Sequence, residues 1–244
     1  MPRLSTLKQF LDGFYDTKTA PRKKNKGIIT RGKDYVKKIA LCTNATTETI
    51  QAAIDSKADM LIAHNLEELD EKSEEKKLSL LKDNRITLYI IGISMDTLYV
   101  YGTDYVLAKA VGLKSLQKLD KKNKRGLYGN SRISTYEMFL RRINWLTHEA
   151  SEAYKNNKNK IKKVAIHAGE PPEKRILITA EKSGCDTFLC NEEDIKLKTT
   201  AKDLKINLFI ANYTATERLA LQALKKIINN KFTTKTLLLD ETDY

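Results

Sequence analysis

The sequence predicts an α/β protein made of two similar, duplicated α/β subdomains, each a mixed sheet flanked by helices, with a cleft between them. Three observations carry this expectation: an internal repeat of three matched blocks in the same order, a short apolar and β-branched run heading each copy, and helical apolar spacing between the runs.

The first copy opens with Lys37-Lys38-Ile39-Ala40-Leu41, which matches Lys162-Lys163-Val164-Ala165-Ile166; each reads as a buried strand. A helix should follow each. Residues 46–56 place Ile50, Ala53 and Ile54 at helical spacing, and residues 171–183 open with proline, whose missing N–H is no loss in a first helical turn. Ser56-Lys57-Ala58-Asp59-Met60-Leu61-Ile62 then matches Ser183-Gly184-Cys185-Asp186-Thr187-Phe188-Leu189, a turn into a second strand. Lys82-Asp83-Asn84-Arg85-Ile86-Thr87-Leu88-Tyr89-Ile90 matches Lys202-Asp203-Leu204-Lys205-Ile206-Asn207-Leu208-Phe209-Ile210, a helix end and a third strand. Each copy therefore reads strand, helix, strand, helix, strand, an order that gives parallel or mixed pairing. Between the copies lie residues 118–129, rich in Lys, Asn and Gly, and a long predicted helix from about 135 to 156 with Met138, Phe139, Ile143 and Trp145 on its apolar side. The halves should meet near residue 120, with the first repeat in 1–120 and the linker, long helix and second repeat in 121–244.

A chain of 244 residues, 41% hydrophobic, can bury one large core or two small ones. Its longest apolar runs, such as 88–91 and 237–239, fall far short of the roughly 20 residues that span a bilayer, so no membrane role is expected. Residues 1–10 lack the continuous apolar stretch of a secretory signal. Cys42, Cys185 and Cys190 are odd in number and form no CxxC pair, which argues against a disulfide framework and a thiolate zinc site. They read as buried thiols of a cytoplasmic protein. Lys and Arg total 44 against 31 acids, and the net charge of +13 favours polyanionic partners such as nucleic acid. Basic residues cluster at 22–26, 121–125 and 155–163, making Lys122, Lys124 and Arg125 candidate nucleic-acid contacts; solvated loops and helix faces are the competing reading. No helix-turn-helix, finger or RNP motif occurs, nor any GxxxxGK[ST], GxGxxG, GxSxG or HExxH.

The chemistry-bearing residues follow strands. The run 60–62 leads straight into Ala63-His64-Asn65, Asp96 comes five residues beyond the run 88–91, and the run 208–210 leads to Asn212, Tyr213 and Glu217. Ligand sites favour such strand ends. One imidazole and two carboxylates suit a hard or borderline divalent ion. Each has a structural alternative. His64 can cap a helix, Asp96 can close a turn on its own backbone, and Thr214-Ala215-Thr216-Glu217 has the form of a capping box, as does Ser134-Thr135-Tyr136-Glu137. His148 and His167 read as structural.

These residues resemble the Nif-three-like family, whose members carry the name GTP cyclohydrolase 1 type 2 homologue. The likeness lies in Ala40 to Asn44, Ala53-Ile54, Lys57-Ala58-Asp59, Leu61 to Asn65 and Tyr89 to Asp96, then in Val164 to Gly169, Ala180 to Asp186, Ala201 to Ile206 and Asn212 to Glu217. It spans about residues 36–232. The resemblance implies two α/β subdomains, a cleft holding two divalent ions, and a ring-shaped homohexamer. His64 falls on the first histidine of the family's His-His pair, Asp96 on its carboxylate, and Glu217 on the glutamate that contacts both metals. Asn65 stands at the second histidine and Tyr213 at the C-terminal one, and both are poorer ligands: an amide oxygen binds transition metals less well than imidazole, and a phenol must first lose its proton. The expected cofactor is a divalent ion (zinc, manganese or iron), one or two per subunit or none, and the depleted set favours one over two. Two functions follow as expectations. One is a divalent-metal-binding protein, a metal-dependent hydrolase if active. The other is a non-catalytic member that binds nucleic acid through its basic surface or acts as an oligomeric scaffold.

Overall fold

Both copies of the repeat form the expected strand, helix, strand, helix, strand. The computed structural model describes residues 1–15, 26–66, 71–92, 94–98, 100–120, 125–157, 160–169, 171–192 and 195–239. The chain begins with α1 (Leu4–Phe14) and β1 (Gly27–Thr30), and the first copy follows as β2 (Lys38–Ala45), α2 (Thr47–Asp55), β3 (Met60–Leu66), α3 (Glu71–Asp83) and β4 (Thr87–Ile90). Next come α4 (Ser94–Thr97), α5 (Thr103–Ala110), β5 (Leu113–Asp120), β6 (Arg125–Ser131), α6 (Tyr136–Thr147) and β7 (Glu152–Tyr154). The second copy is β8 (Lys163–His167), α7 (Lys174–Lys182), β9 (Thr187–Cys190), α8 (Ile195–Asp203) and β10 (Asn207–Ile210), and α9 (Tyr213–Lys231) and β11 (Lys235–Leu238) complete the chain.

Two compact units result, one from Met1–Met95 with Leu221–Tyr244, the other from Asp96–Ala220. The first sheet has the order β1-β4-β3-β2-β11, the second β5-β6-β8-β9-β10-β7. In each copy the three repeat strands pair in parallel, and an antiparallel strand that precedes the copy, β1 or β7, covers the edge at its last strand. The sheets are thus mixed, as expected. The boundary differs from the expected one near residue 120. β11 pairs with β2 and draws the C-terminal segment to the first copy, whereas the β5–β6 hairpin pairs with β8 and draws residues 96–120 to the second.

Local chemistry explains the repeated frame. Thr46 caps α2 in a capping box with Thr49, and left-handed residues after the helices, Lys57 and Arg85 in the first copy and Gly184 and Lys205 in the second, turn the chain back to the sheet. In the first unit Ile50, Leu61, Leu81 and Leu88 share a core; in the second, Phe139, Ile143 and Phe209 cover one sheet face and Ile176, Leu177 and Phe188 the other. Burial of each such side chain contributes about 1.5–3 kcal/mol.

The expected helix over 135–156 is shorter. α6 ends at Thr147 because His148 takes a left-handed conformation (φ 60°), the Ser151 amide donates to Asn144 Oδ1, and 152–154 leave to pair with β10 as β7. Of its expected apolar side, Phe139 and Ile143 are buried while Met138 and Trp145 are exposed, because the side that packs follows 136, 139 and 143. Among the described residues, no helix is long and apolar enough to cross a membrane.

Candidate metal centre

The ends of the repeat strands carry the polar residues. β3 brings His64 to its C-terminal end, and the His64 carbonyl accepts a hydrogen bond from the Gly92 amide at 2.8 Å. Gly92 takes a positive φ of 64° there, and its own carbonyl accepts from the Met95 amide, which starts the turn of α4 that carries Asp96. Glu217 lies one turn into α9. That helix is capped by Asn212, whose Oδ1 accepts from the Ala215 amide at 2.8 Å. The capping-box reading of Glu217 is therefore replaced: its carboxylate is fully buried and turned to other partners. His64, Asp96 and Glu217 are all buried, and one ligand atom of each lies within 4.8 Å of the others.

Hydrogen bonds fix the Glu217 carboxylate. Thr103 Oγ1 donates to Glu217 Oε2 at 2.8 Å and stands 3.4 Å from Asp96 Oδ1; its single hydrogen goes to the nearer acceptor. Asn191 Nδ2 donates to Glu217 Oε1 at 3.2 Å and to Thr216 Oγ1 at 2.9 Å, while its Oδ1 accepts from the Gly169 amide at 3.0 Å. Gly169, at φ 96°, has no room for a side chain: a Cβ there would stand 2.7 Å from Asp96 Cγ. Only glycine lets that backbone approach the carboxylate.

A third carboxyl lies close by. Asp104 accepts from the Ala168 amide at 2.7 Å and the Gly126 amide at 2.8 Å. Burial pushes it well above the usual carboxylate range, the negative charges of Asp96 and Glu217 push it further, and the two amides oppose the rise. Thr103 and Asp104 escaped the sequence reading because they lie in the unmatched stretch between the copies; their sequence signal is a Gly-Thr-Asp helix start.

The donor set fits a divalent cation. One imidazole nitrogen and two carboxylate oxygens, buried together with a third carboxyl in their field, are what a borderline ion such as zinc, iron or manganese prefers. Asn65 is half-buried at the end of β3, in register with Asn44, and Tyr213 is half-buried at the start of α9, its carbonyl accepting from Thr216 Oγ1. Lys122 and Lys124 lie outside the described residues, and Arg125 begins β6 opposite Asp120. His148 is exposed at the end of α6, and His167 is buried at the end of β8, in register with Cys190.

Known proteins share this fold. The model of the family described as Duf34/NIF3 (NGG1p interacting factor 3) matches residues 2–243. A "GTP cyclohydrolase 1 type 2 homolog" of Pyrococcus abyssi is 29% identical over 248 residues, 95% of each chain. Another so named, from Deinococcus radiodurans, is 26% identical over 216 residues, 84% of this chain and 81% of that one. Among solved structures, TTHA1606 from Thermus thermophilus superposes with a TM-score of 0.86 at 19% identity over 99% of both chains. Reduced HcgD from Methanocaldococcus jannaschii does so with a TM-score of 0.85 at 20% identity over 98% of both. At these identities the structural likeness bears on the fold.

Proposed function

The chain belongs to the Duf34/NIF3 family, and on that premise we propose that it binds a divalent metal through His64, Asp96 and Glu217, with metal-assisted hydrolysis as its reaction class. The observation that carries this reading is the convergence of these three buried side chains within 4.8 Å. The names of the curated relatives point the same way, since a cyclohydrolase is a hydrolytic enzyme. With Asn65 and Tyr213 in place of imidazoles, the set supports one ion per chain.

When bound, such an ion supplies positive charge that polarises a substrate oxygen and acidifies a water. The rest falls to the chain. Thr103 and Asn191 each hold one oxygen of Glu217, so the carboxylate keeps one orientation. Gly169, with no side chain, lets its backbone pack against Asp96, and the buried setting of all three groups excludes bulk water and strengthens their field.

Elemental analysis of wild type and of a His64→Ala, Glu217→Ala variant tests the reading. About one equivalent in the wild type, lost in the variant, is the expected result for a three-ligand site. No metal in either protein after incubation with zinc, manganese or iron would overturn it.

A further inference from the structure

A second site lies wholly within the first unit. A cleft of about 900 Å³ is lined by Lys33, Lys37, Lys38, Lys57, Lys231 and Lys235, with Asp59 as its acidic residue among the described ones. We propose that this cleft binds a polyphosphate anion of nucleotide size, carried on a nucleotide or free.

The charge there is unbalanced. Asp59 Oδ1 accepts from Lys33 Nζ at 2.7 Å and Oδ2 from the Lys37 and Lys38 amides at 2.8 and 3.0 Å, so that carboxylate is committed to the frame and to one lysine. Lys38 Nζ donates to the Ser56 carbonyl at 2.5 Å, and Lys231 Nζ stands 4.7 Å from the centre of the Phe10 ring. Neither contact neutralises its charge. Lys37, Lys57 and Lys235 are exposed and have no side-chain partner among the described residues. Five ammonium groups beyond the Lys33–Asp59 pair exceed what one phosphate, at about −1.5 to −2, offsets, which is why a chain of phosphates fits better than a monophosphate.

The backbone holds these lysines together. Lys38 and Lys235 are register partners in the parallel pair β2 and β11, Lys37 directly precedes β2, and Thr234 Oγ1 donates to the Lys37 carbonyl at 2.9 Å. Lys57 is placed by its left-handed turn after α2. Repulsion among ammonium groups held this way is relieved by an anion, and lysine acts on phosphate as a point charge without demanding one geometry. The volume lies in the range of small-ligand sites, roughly 300–1,000 Å³. The half-buried Phe232 on its wall, edge-on to Phe10 at 5.3 Å, offers an apolar surface to a base.

Calorimetric titration with inorganic triphosphate and with a nucleoside triphosphate tests the site, using wild type, a Lys37→Glu, Lys235→Glu variant and a control of equal charge, Lys114→Glu, Lys174→Glu, from the other unit. Binding at low ionic strength, weakened by salt, should fall at least about tenfold in the cleft variant and less than about threefold in the control. Tighter binding of the nucleotide than of triphosphate identifies a base contact, and equal binding identifies the phosphate chain alone; both support the site. Absence of binding at low ionic strength, or equal loss in both variants, would overturn it.

Discussion

The two copies of the repeat share a backbone frame and part company where their strands end. In each, an aspartate before the middle strand holds the amides that start the first strand: Asp59 Oδ2 accepts from Lys37 and Lys38, and Asp186 Oδ2 from Lys162 and Lys163. The lysine at that start then donates to the carbonyl ending the helix, Lys38 to Ser56 at 2.5 Å and Lys163 to Ser183 at 2.8 Å. The third strands enter alike, the Thr87 and Asn207 amides each donating to the carbonyl of the matched aspartate at 3.0 Å. Beyond the strands the chemistry changes. By the same matching, His64 corresponds to Asn191 and Asp96 to Thr216. In the second copy that amide and hydroxyl bond each other at 2.9 Å, whereas in the first the imidazole and carboxylate belong to the candidate metal cluster. A duplicated frame thus fixes where side chains emerge, and local substitution decides whether they serve as ligands or as supports.

The largest expected effect tests the matched third strands. Phe209 and Tyr89 occupy equivalent positions, but Phe209 is a pure packing residue, 4.8 Å from the Tyr136 ring and 5.1 Å from that of Phe139. Phe209→Ala should cost about 3–5 kcal/mol in urea unfolding, because the cavity would lie among aromatics that cannot collapse into it. Next come the paired aspartates. Asp59 is buried and also bonds Lys33, while Asp186 is less buried and bonds Thr187 Oγ1 at 2.8 Å. Asp59→Asn should cost about 2–3 kcal/mol and Asp186→Asn about 1 kcal/mol less, since charge-assisted bonds are the stronger and deeper burial raises the loss. Equal costs would show that the frames differ less than their burial suggests.

The same aspartate sets a pH dependence. Burial raises the Asp59 carboxyl, and the Lys33 ammonium with the Lys37 and Lys38 amides outweigh that, leaving it below the usual range. The folded protein therefore holds this proton less tightly than the unfolded chain. Its stabilisation is complete above the unfolded pKa, about 3.9, and is lost as pH falls through the folded value. Unfolding midpoints measured across the acid range should decline less steeply below about pH 4 in Asp59→Asn than in wild type.

Much of this frame was legible in the sequence, because three blocks matched in order and each copy is headed by a short apolar, β-branched run that suits a buried strand. Strand order was less so: β11 returns to β2 by pairing, a long-range choice that no local pattern marks, and this moved the unit boundary from residue 120. The helix expected over 135–156 failed at its end, since His148 turns left-handed without the glycine that usually signals such a stop. At the site, His64, Asp96 and Glu217 could be proposed from their places after strands. Their supports could not, because Thr103 and Gly169 matter through distances across the fold, and Thr103 sits in a stretch with no counterpart in the other copy.

A smaller effect follows from Tyr89, whose buried hydroxyl donates to Asp12 Oδ1 at 2.9 Å and whose pKa is raised by burial and by that carboxylate. Tyr89→Phe makes the first copy resemble the second at this position, and should cost about 1.5–2 kcal/mol, the low end for a bond to a carboxylate, since Asp12 is partly exposed.

The smallest effect concerns Cys185, which stands where the first copy has Ala58. Its amide donates to the Ala180 carbonyl at 3.0 Å as the Ala58 amide does to Ala53, so the backbone does not distinguish the two residues. Burial pushes the Cys185 thiol up to about 12, with Asp186 adding to the rise and Lys163 opposing it. At pH 8 roughly one molecule in ten thousand then carries the thiolate, against about a quarter for a free cysteine, so alkylation of the folded protein should be slower than of the unfolded chain by at least about a hundredfold. Mass spectrometry after timed alkylation measures this. Cys185→Ala, which installs the first copy's residue, should change stability by less than about 1.5 kcal/mol, since only one small buried group is removed. A larger loss would mean that the second copy has repacked around its sulfur, and that the likeness of the two frames stops at the backbone.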